Sequence, residues 1–218
     1  MRIAYVILTC EKYWNTRVPW QKETCFSTVL SQDIYYLGHM MNEDQRLFNW
    51  GAQDDYHSLP HKMLGLFQHL PLENYDWICI ADDDTYIYTS RLEQFLSQYA
   101  GQDYVACGHR LDHVQRELFS YFSGGAGTVF SQGLYIELRH HVAQCPSLIH
   151  WCADICLGRW LIDTKERLSR ENTIVIDLHS PMFHPEYYNP ATDQVSTAIT
   201  FHHLKEHRQY QELYTQDK

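Results

Sequence analysis

Asp76-Trp77-Ile78-Cys79-Ile80-Ala81-Asp82-Asp83-Asp84-Thr85-Tyr86 constrains this chain more than any other stretch. Trp77 to Ala81 is a short apolar run of strand-forming residues, the pattern of a strand buried on both faces. Such strands belong to parallel sheets covered by helices. Three consecutive aspartates close the run. Ligands of open α/β sheets sit at the carboxyl ends of strands, and three adjacent carboxylates repel unless positive charge lies between them. A hard divalent cation, Mn²⁺ or Mg²⁺, meets that need, because it prefers oxygen ligands and bridges to substrate phosphates. The plainer alternative is a solvated acidic turn that ends a strand.

The remaining chain reads as one α/β domain over residues 1–218, a mostly parallel central sheet flanked by helices. Strands are predicted at 3–9, 33–37, 104–108, 118–122 and 173–178. Helices are predicted at 20–30, 57–70, 92–99, 131–142, 154–164 and 204–214. The 57–70 helix carries Leu59, Met63, Leu66, Phe67 and Leu70 at helical spacing. With 44% hydrophobic and 20% charged residues, a chain of 218 can bury a sizeable core. A net charge of −10 argues against nucleic acid as a partner. The apolar runs fall far short of a transmembrane segment, and the first strand at Ile3 leaves no room for a leader. Cysteines number seven, an odd count, and Cys10 and Cys79 lie in or beside apolar runs. They read as reduced core thiols. The expected location is cytoplasmic, or that of a soluble catalytic domain lacking its anchor.

Other candidate sites each carry two readings. Ser123-Gly124-Gly125-Ala126-Gly127 is a glycine-rich loop, either a tight turn or a place where backbone amides approach a ligand. It is no dinucleotide fingerprint, since the third glycine of that pattern is missing. Asp154 opens a predicted helix, where an acidic residue either caps amides or does chemistry. His184, between Pro181 and Pro185, either fixes a turn or completes an oxygen-rich metal site. Cys145, His150, Cys152 and Cys156 are zinc-ligand types at irregular spacing with no Cys-x-x-Cys pair, which argues against zinc. No Gly-x-Ser-x-Gly elbow supports a serine hydrolase.

Taken together and in order, these motifs resemble one family. Asp-Trp-x-x-x-Ala-Asp-Asp-Asp-Thr-Tyr, Ser-Gly-Gly-Ala-Gly, Asp154-x-x-x-Gly158-Arg159, Phe183-His184-Pro185 and Thr200-Phe201-His202 are similar in kind and order to those of the Fringe-like glycosyltransferases of family 31. The core 1 β1,3-galactosyltransferase branch is the nearest likeness. Leu59-Pro60-x-Lys62, Thr9 and Arg17 extend it, so that it covers residues 3 to 214. The chain departs from the family pattern at Ala153, where an acidic residue is usual, and at Cys25, where a tryptophan is usual. Its loop after His184 is short.

The resemblance implies a GT-A fold, a UDP-sugar donor, Mn²⁺ (or Mg²⁺) and inversion at the anomeric carbon. It implies transfer of a hexose (galactose, glucose or N-acetylglucosamine) to an acceptor hydroxyl, with a β1,3 linkage, on a glycan, glycoprotein or other carbohydrate. In that assignment Asp82 and Asp84 hold the cation, with His184 as the remote third ligand. Asp83 bonds the ribose or donor sugar. Thr9 and Arg17 face the uridine, and Lys62 sits close to the aspartates. The backbone of Gly124, Gly125 and Ala126 approaches the sugar and pyrophosphate, and Asp154 is the base that deprotonates the acceptor. Two other classes fit the same residues: a nucleotide-sugar-binding protein without catalysis, and a metal-dependent phosphohydrolase.

Overall fold

The computed structural model describes residues 1–112, 119–146, 152–188 and 195–217. The chain runs β1 (Ile3–Leu8), α1 (Glu11–Trp14), α2 (Arg17–Glu23), β2 (Ile34–Leu37), β3 (Leu47–Phe48), α3 (Leu59–His69), β4 (Trp77–Asp82), β5 (Tyr86–Ile87) and α4 (Thr89–Ser97). It continues β6 (Val105–Gly108), β7 (Arg110–Leu111), β8 (Tyr121–Phe122), β9 (Thr128–Ser131), α5 (Gln132–Gln144), α6 (Ala153–Arg170), β10 (Ile176–His179), β11 (Phe183–Tyr187), β12 (Thr200–His202) and α7 (His207–Gln216). Seven strands form the main sheet in the order β10-β6-β9-β4-β1-β2-β3. All pair in parallel except β9, which runs antiparallel to both β4 and β6.

Side-chain alternation along the central strands divides the core in two. Ile3, Tyr5 and Ile7 of β1 join Trp77, Cys79 and Ala81 of β4 in a cluster with Val18, Leu92, Leu96, Tyr210 and Leu213, under α2, α4 and α7. Ala4, Val6 and Leu8 join Ile78 and Ile80 in a second cluster with Leu66, Phe67, Leu134, Leu138, Cys156 and Trp160, under α3, α5 and α6. Both faces of β1 and β4 are therefore covered. That is why their sequences read as continuous apolar runs rather than alternating ones. A second sheet, β11-β12-β5, lies beyond the end of β4, with β12 antiparallel to β5.

The predicted elements differ from the observed ones mainly at their ends. The helix expected over 20–30 is α2 at Arg17–Glu23. Pro19 stands in its first turn, where amides lack intrahelical acceptors, so it does not break the helix. The helix expected over 154–164 continues to Arg170. The strand expected over 173–178 is shifted to Ile176–His179. Of the strand expected over 118–122, only Tyr121–Phe122 is seen, and Leu118 lies outside the described residues. Strands β9, β11 and β12 were not expected: each is five residues or fewer and lacks a bounded apolar run. Cys10, Cys25, Cys79, Cys107 and Cys145 are free thiols, and Cys25, Cys79, Cys107, Cys152 and Cys156 are buried. Among the described residues no helix is long and apolar enough to cross a membrane.

Candidate active site

The site is built where β4 ends. Alternation places Ala81 under α2, so Asp83, two residues on, faces α2 as well. It is fully engaged there. Arg17 donates from Nη1 to Asp83 Oδ1 at 2.7 Å and Thr9 donates from Oγ1 to Oδ2 at 2.8 Å. The Tyr210 hydroxyl donates to the Asp83 carbonyl at 2.7 Å, and the Asp83 amide donates to Leu8 O at 2.9 Å. The Arg17 guanidinium lies 3.6 Å over the Tyr13 ring. Burial pushes the Asp83 carboxyl up to about 6, against the hydrogen bonds from Arg17 and Thr9. It remains a carboxylate at neutral pH. Gln21 Nε2 donates to the carbonyls of Asp82 (3.2 Å) and Thr85 (2.9 Å), fixing the turn that carries the triplet.

Asp82 and Asp84 face a different set of partners. His202 Nε2 lies 3.1 Å from Asp84 Oδ1 and 3.6 Å from Asp82 Oδ2. Lys205 Nζ pairs with Asp84 Oδ2, and Arg17 Nη1 is 3.4 Å from the same oxygen. Burial would raise Asp84, but the His202 and Lys205 hydrogen bonds and the Arg17 charge hold it well below the carboxylate range. Burial would lower His202, but its hydrogen bonds to Asp82 and Asp84 lift it to about 10. The next residue, His203, takes a left-handed backbone (φ 61°), and its ring stacks on that of His202 with centroids 3.6 Å apart. Such a conformation in a non-glycine residue is costly and tends to be kept where a site needs it.

A divalent cation fits this donor set. Asp84, His202 and His203 each offer a ligand atom, all within 4.8 Å of one another, and Asp82 adds a carboxylate beside His202. Carboxylate oxygens suit Mn²⁺ or Mg²⁺, and imidazole is a common ligand of divalent transition metals. His184, expected as the third ligand, is not in this group. Its ring stacks on Phe201 at 4.7 Å between centroids, and Phe201 lies in the core. Along β12, neighbouring side chains point to opposite faces, so Phe201 turns inward and His202 turns to the aspartates. His184 pairs across from Phe201, not His202.

The glycine loop faces these residues from the other side. Asp154, the second residue of α6, accepts a hydrogen bond from the Gly124 amide. A Cβ at Gly124 would stand 2.5 Å from Asp154 Oδ1, and one at Gly125 would overlap the imidazole of His202. Glycine is required at both positions because the Asp154 and His202 side chains occupy the space a Cβ would take. The carbonyls of Gly125 and Ala126 accept from Thr85 and Thr200 hydroxyls, each at 2.5 Å. Two of the amides expected to approach a pyrophosphate are engaged within the chain, Ala126 N donating to Ser123 Oγ at 3.3 Å. The loop is buried, and its Gly124 amide is turned to Asp154. Burial pushes Asp154 up to about 6, opposed by that hydrogen bond and aided by the charge of Asp82.

A cavity of about 390 Å³ opens beside the triplet, lined by Thr9, Tyr13, Arg17, Tyr56, Lys62, Asp82, Asp83, Asp84, His202, His203 and Lys205. Thr9, Arg17, Lys62 and the aspartates are brought together as expected, but with different partners. Lys62 does not pair with the triplet: its Nζ donates to Thr9 O at 2.9 Å and to Asp54 Oδ1 at 2.6 Å. Asp83 has both carboxylate oxygens occupied by this chain's own donors. His150, of the cysteine-rich cluster, lies outside the described residues.

His202, His203, Lys205, Asp54 and Tyr210 were not singled out from sequence. His202 stands in a motif that carries the family resemblance, yet nothing local separates it from the others in a chain with 14 histidines. Tyr210 reaches the site by a tertiary contact across 127 residues.

The sequence model of the family described as Fringe-like matches residues 2–216. The human β-1,3-glucosyltransferase is 28% identical over 149 residues, and the mouse enzyme of the same name is 30% identical over 150. Each alignment covers 66% of this chain and 30% of the relative, so the chain matches less than a third of those enzymes' length. Human chondroitin sulfate glucuronyltransferase is 31% identical over 93 residues, 42% of this chain and 12% of that protein. Among solved structures, a glycosyltransferase involved in the glycosylation of the major capsid of PBCV-1 is similar over 97% of this chain and 99% of its own, at 11% identity and a TM-score of 0.49.

Proposed function

The chain belongs to the Fringe-like family, and on that premise we propose that it is an inverting, cation-dependent glycosyltransferase moving a hexose from a UDP-sugar to a carbohydrate hydroxyl. The observation that carries this reading is the meeting of an acidic and imidazole cluster with a second carboxylate at one glycine loop. Gly125 abuts His202, which pairs with Asp82 and Asp84, and Gly124 abuts Asp154. The names of the matched relatives favour glucose or glucuronic acid over galactose, and a β1,3 linkage.

In this mechanism Asp82, Asp84, His202 and His203 would hold the cation, which would supply positive charge to offset that developing on the leaving diphosphate. Arg17, Tyr13 and Thr9 line the part of the cavity given to the nucleotide. Asp154 accepts the proton of the acceptor hydroxyl. That oxygen bonds to the anomeric carbon on the face opposite UDP, the carbon–oxygen bond to the β-phosphate breaks, and UDP leaves with the electron pair. One displacement inverts the centre. A base raised to about 6 is still ionised at neutral pH and binds a proton more strongly than an exposed aspartate. Positioned bases of this kind contribute roughly 10² to 10⁴ in rate.

The test is calorimetric titration with UDP in Mn²⁺ and in EDTA, followed by turnover of UDP-glucose, UDP-galactose, UDP-N-acetylglucosamine and UDP-glucuronic acid without acceptor. UDP should bind in Mn²⁺ and be lost in EDTA, and idle turnover should release UDP and free sugar. Unchanged UDP affinity in EDTA would refute the cation site. Release of inorganic phosphate would turn the reading to a phosphohydrolase.

A further inference from the structure

Among the described residues, Lys205 is the most exposed of the lysine and arginine side chains that line the cavity beside the triplet. Arg17 is buried, bonded to Asp83 and stacked on Tyr13. Lys62 is buried and tied to Asp54 and the Thr9 carbonyl. The Lys205 side chain is 44% exposed, and its ammonium pairs with Oδ2 of Asp84, the carboxylate that offers a ligand atom beside His202 and His203. Its backbone is anchored on both sides: Leu204 N donates to Asp84 O at 2.9 Å, and Lys205 N donates to Gln209 Oε1 at 2.7 Å. A fixed backbone thus carries a flexible four-carbon stem at the lip of the cavity, and lysine's compact charge suits phosphate from any direction.

We propose that Lys205 is a displaceable counter-ion, which neutralises Asp84 in the metal-free site and turns to the donor's diphosphate when cation and nucleotide bind. This rests on the reading of the site given above. A metal on Asp84 would draw on the same carboxylate charge that the ammonium neutralises, so Lys205 competes with the bare cation. Once it has left Asp84, the nearest negative charge within its reach is the diphosphate that enters with the metal. Lys205 is accordingly a positioning residue: it weakens binding of metal alone and strengthens binding of metal with nucleotide, which orders the two events.

The experiment uses the full chain and measures Mn²⁺ affinity without nucleotide, then UDP affinity at saturating Mn²⁺, for wild type, Lys205→Ala, Lys205→Arg and Lys12→Ala. Lys12 Nζ lies 4.9 Å over the ring of the cavity-lining Tyr13, and its substitution removes one nearby charge without touching Asp84. Lys205→Ala should bind Mn²⁺ alone roughly three- to tenfold more tightly, and UDP with Mn²⁺ about tenfold more weakly. Lys205→Arg should restore much of the UDP affinity, and Lys12→Ala should change neither quantity by more than about twofold. Unchanged Mn²⁺ affinity in Lys205→Ala, or the same two shifts in Lys12→Ala, would overturn the counter-ion role while leaving Mn²⁺-dependent UDP binding by wild type intact. Absence of UDP binding by wild type at any Mn²⁺ concentration would overturn the site reading and this inference together.

Discussion

The two sides of the Asp82-Asp83-Asp84 turn are built on opposite terms. On the α2 side, Asp83 has a donor on each carboxylate oxygen and on its carbonyl, and Arg17 is itself buried against Tyr13. The Asp83 carboxylate is satisfied there by the chain's own donors. On the α6 side, Asp82, Asp84, His202 and Asp154 crowd together around two glycines with their charges only partly offset. One aspartate of the three is thus fully bonded within the chain, and its neighbours are the groups to which the proposed function gives the chemistry. Alternation along a single strand end decides which is which.

The largest effect that separates the two sides is expected from Arg17→Ala. It leaves a buried Asp83 carboxylate with only Thr9 as side-chain donor, and breaking a buried pair in this way costs about 3–5 kcal/mol. Urea unfolding should show a loss of that order, with Arg17→Lys in between. A loss below about 1 kcal/mol would mean that the α2 side is no clamp, and would place Asp83 among the ligand-binding groups.

Asp154→Asn tests the other side. Transfer should fall by roughly 10² or more, because an amide takes no proton at neutral pH. Donor affinity should hold. Wild-type transfer should rise as pH climbs through about 6, where Asp154 ionises, and the variant should lack that limb. Stability should not suffer at neutral pH. A carboxyl raised from its ordinary 3.8 to about 6 favours the folded state below 3.8 and loses that contribution as pH rises through 6. Retained turnover with a lowered melting temperature would make Asp154 a helix cap instead.

Gly125→Ala is expected to have the smallest effect and to connect the two sides. Its Cβ would drive the His202 ring from its position, so Mn²⁺-dependent UDP binding should weaken about tenfold, with stability lowered by about 1–3 kcal/mol from overpacking. Gly51→Ala has no neighbour to displace, although its φ of 88° carries its own strain. It should lower stability while sparing UDP affinity. Equal loss of UDP affinity in both variants would show that Gly125 acts through general destabilisation.

Much of this was legible in the chain. Trp77 to Ala81 announced a strand covered on both faces, and the aspartates after it announced a charged site, because burial and repulsion follow from residue type alone. Asp154 was legible as one of two readings, cap or base, and its contact with Gly124 has no signature in the chain. His202 carried no local signal: like His184 it follows a phenylalanine, and its pairing with Asp82 and Asp84 is a tertiary contact. Lys62 shows the same limit: its helix was legible from periodicity, but its partner Asp54 sits on an irregular loop that carries no periodic signal. Strand direction could not be read either, and the reversed β9 is what brings the glycine loop to the carboxyl end of β4.

The reach of the Tyr210 hydroxyl to the Asp83 carbonyl has a consequence for when the site comes into being. That bond spans 127 residues, Thr9 to Asp83 spans 74, and Lys205 to Asp84 spans 121. Contacts so distant along the chain form late, because loop closure must precede them. A ribosome releases β1 and β4 long before α7, so this cleft stays incomplete until α7 docks and brings Tyr210 to Asp83. Occupancy of the cleft by any ligand would therefore report the docking of α7.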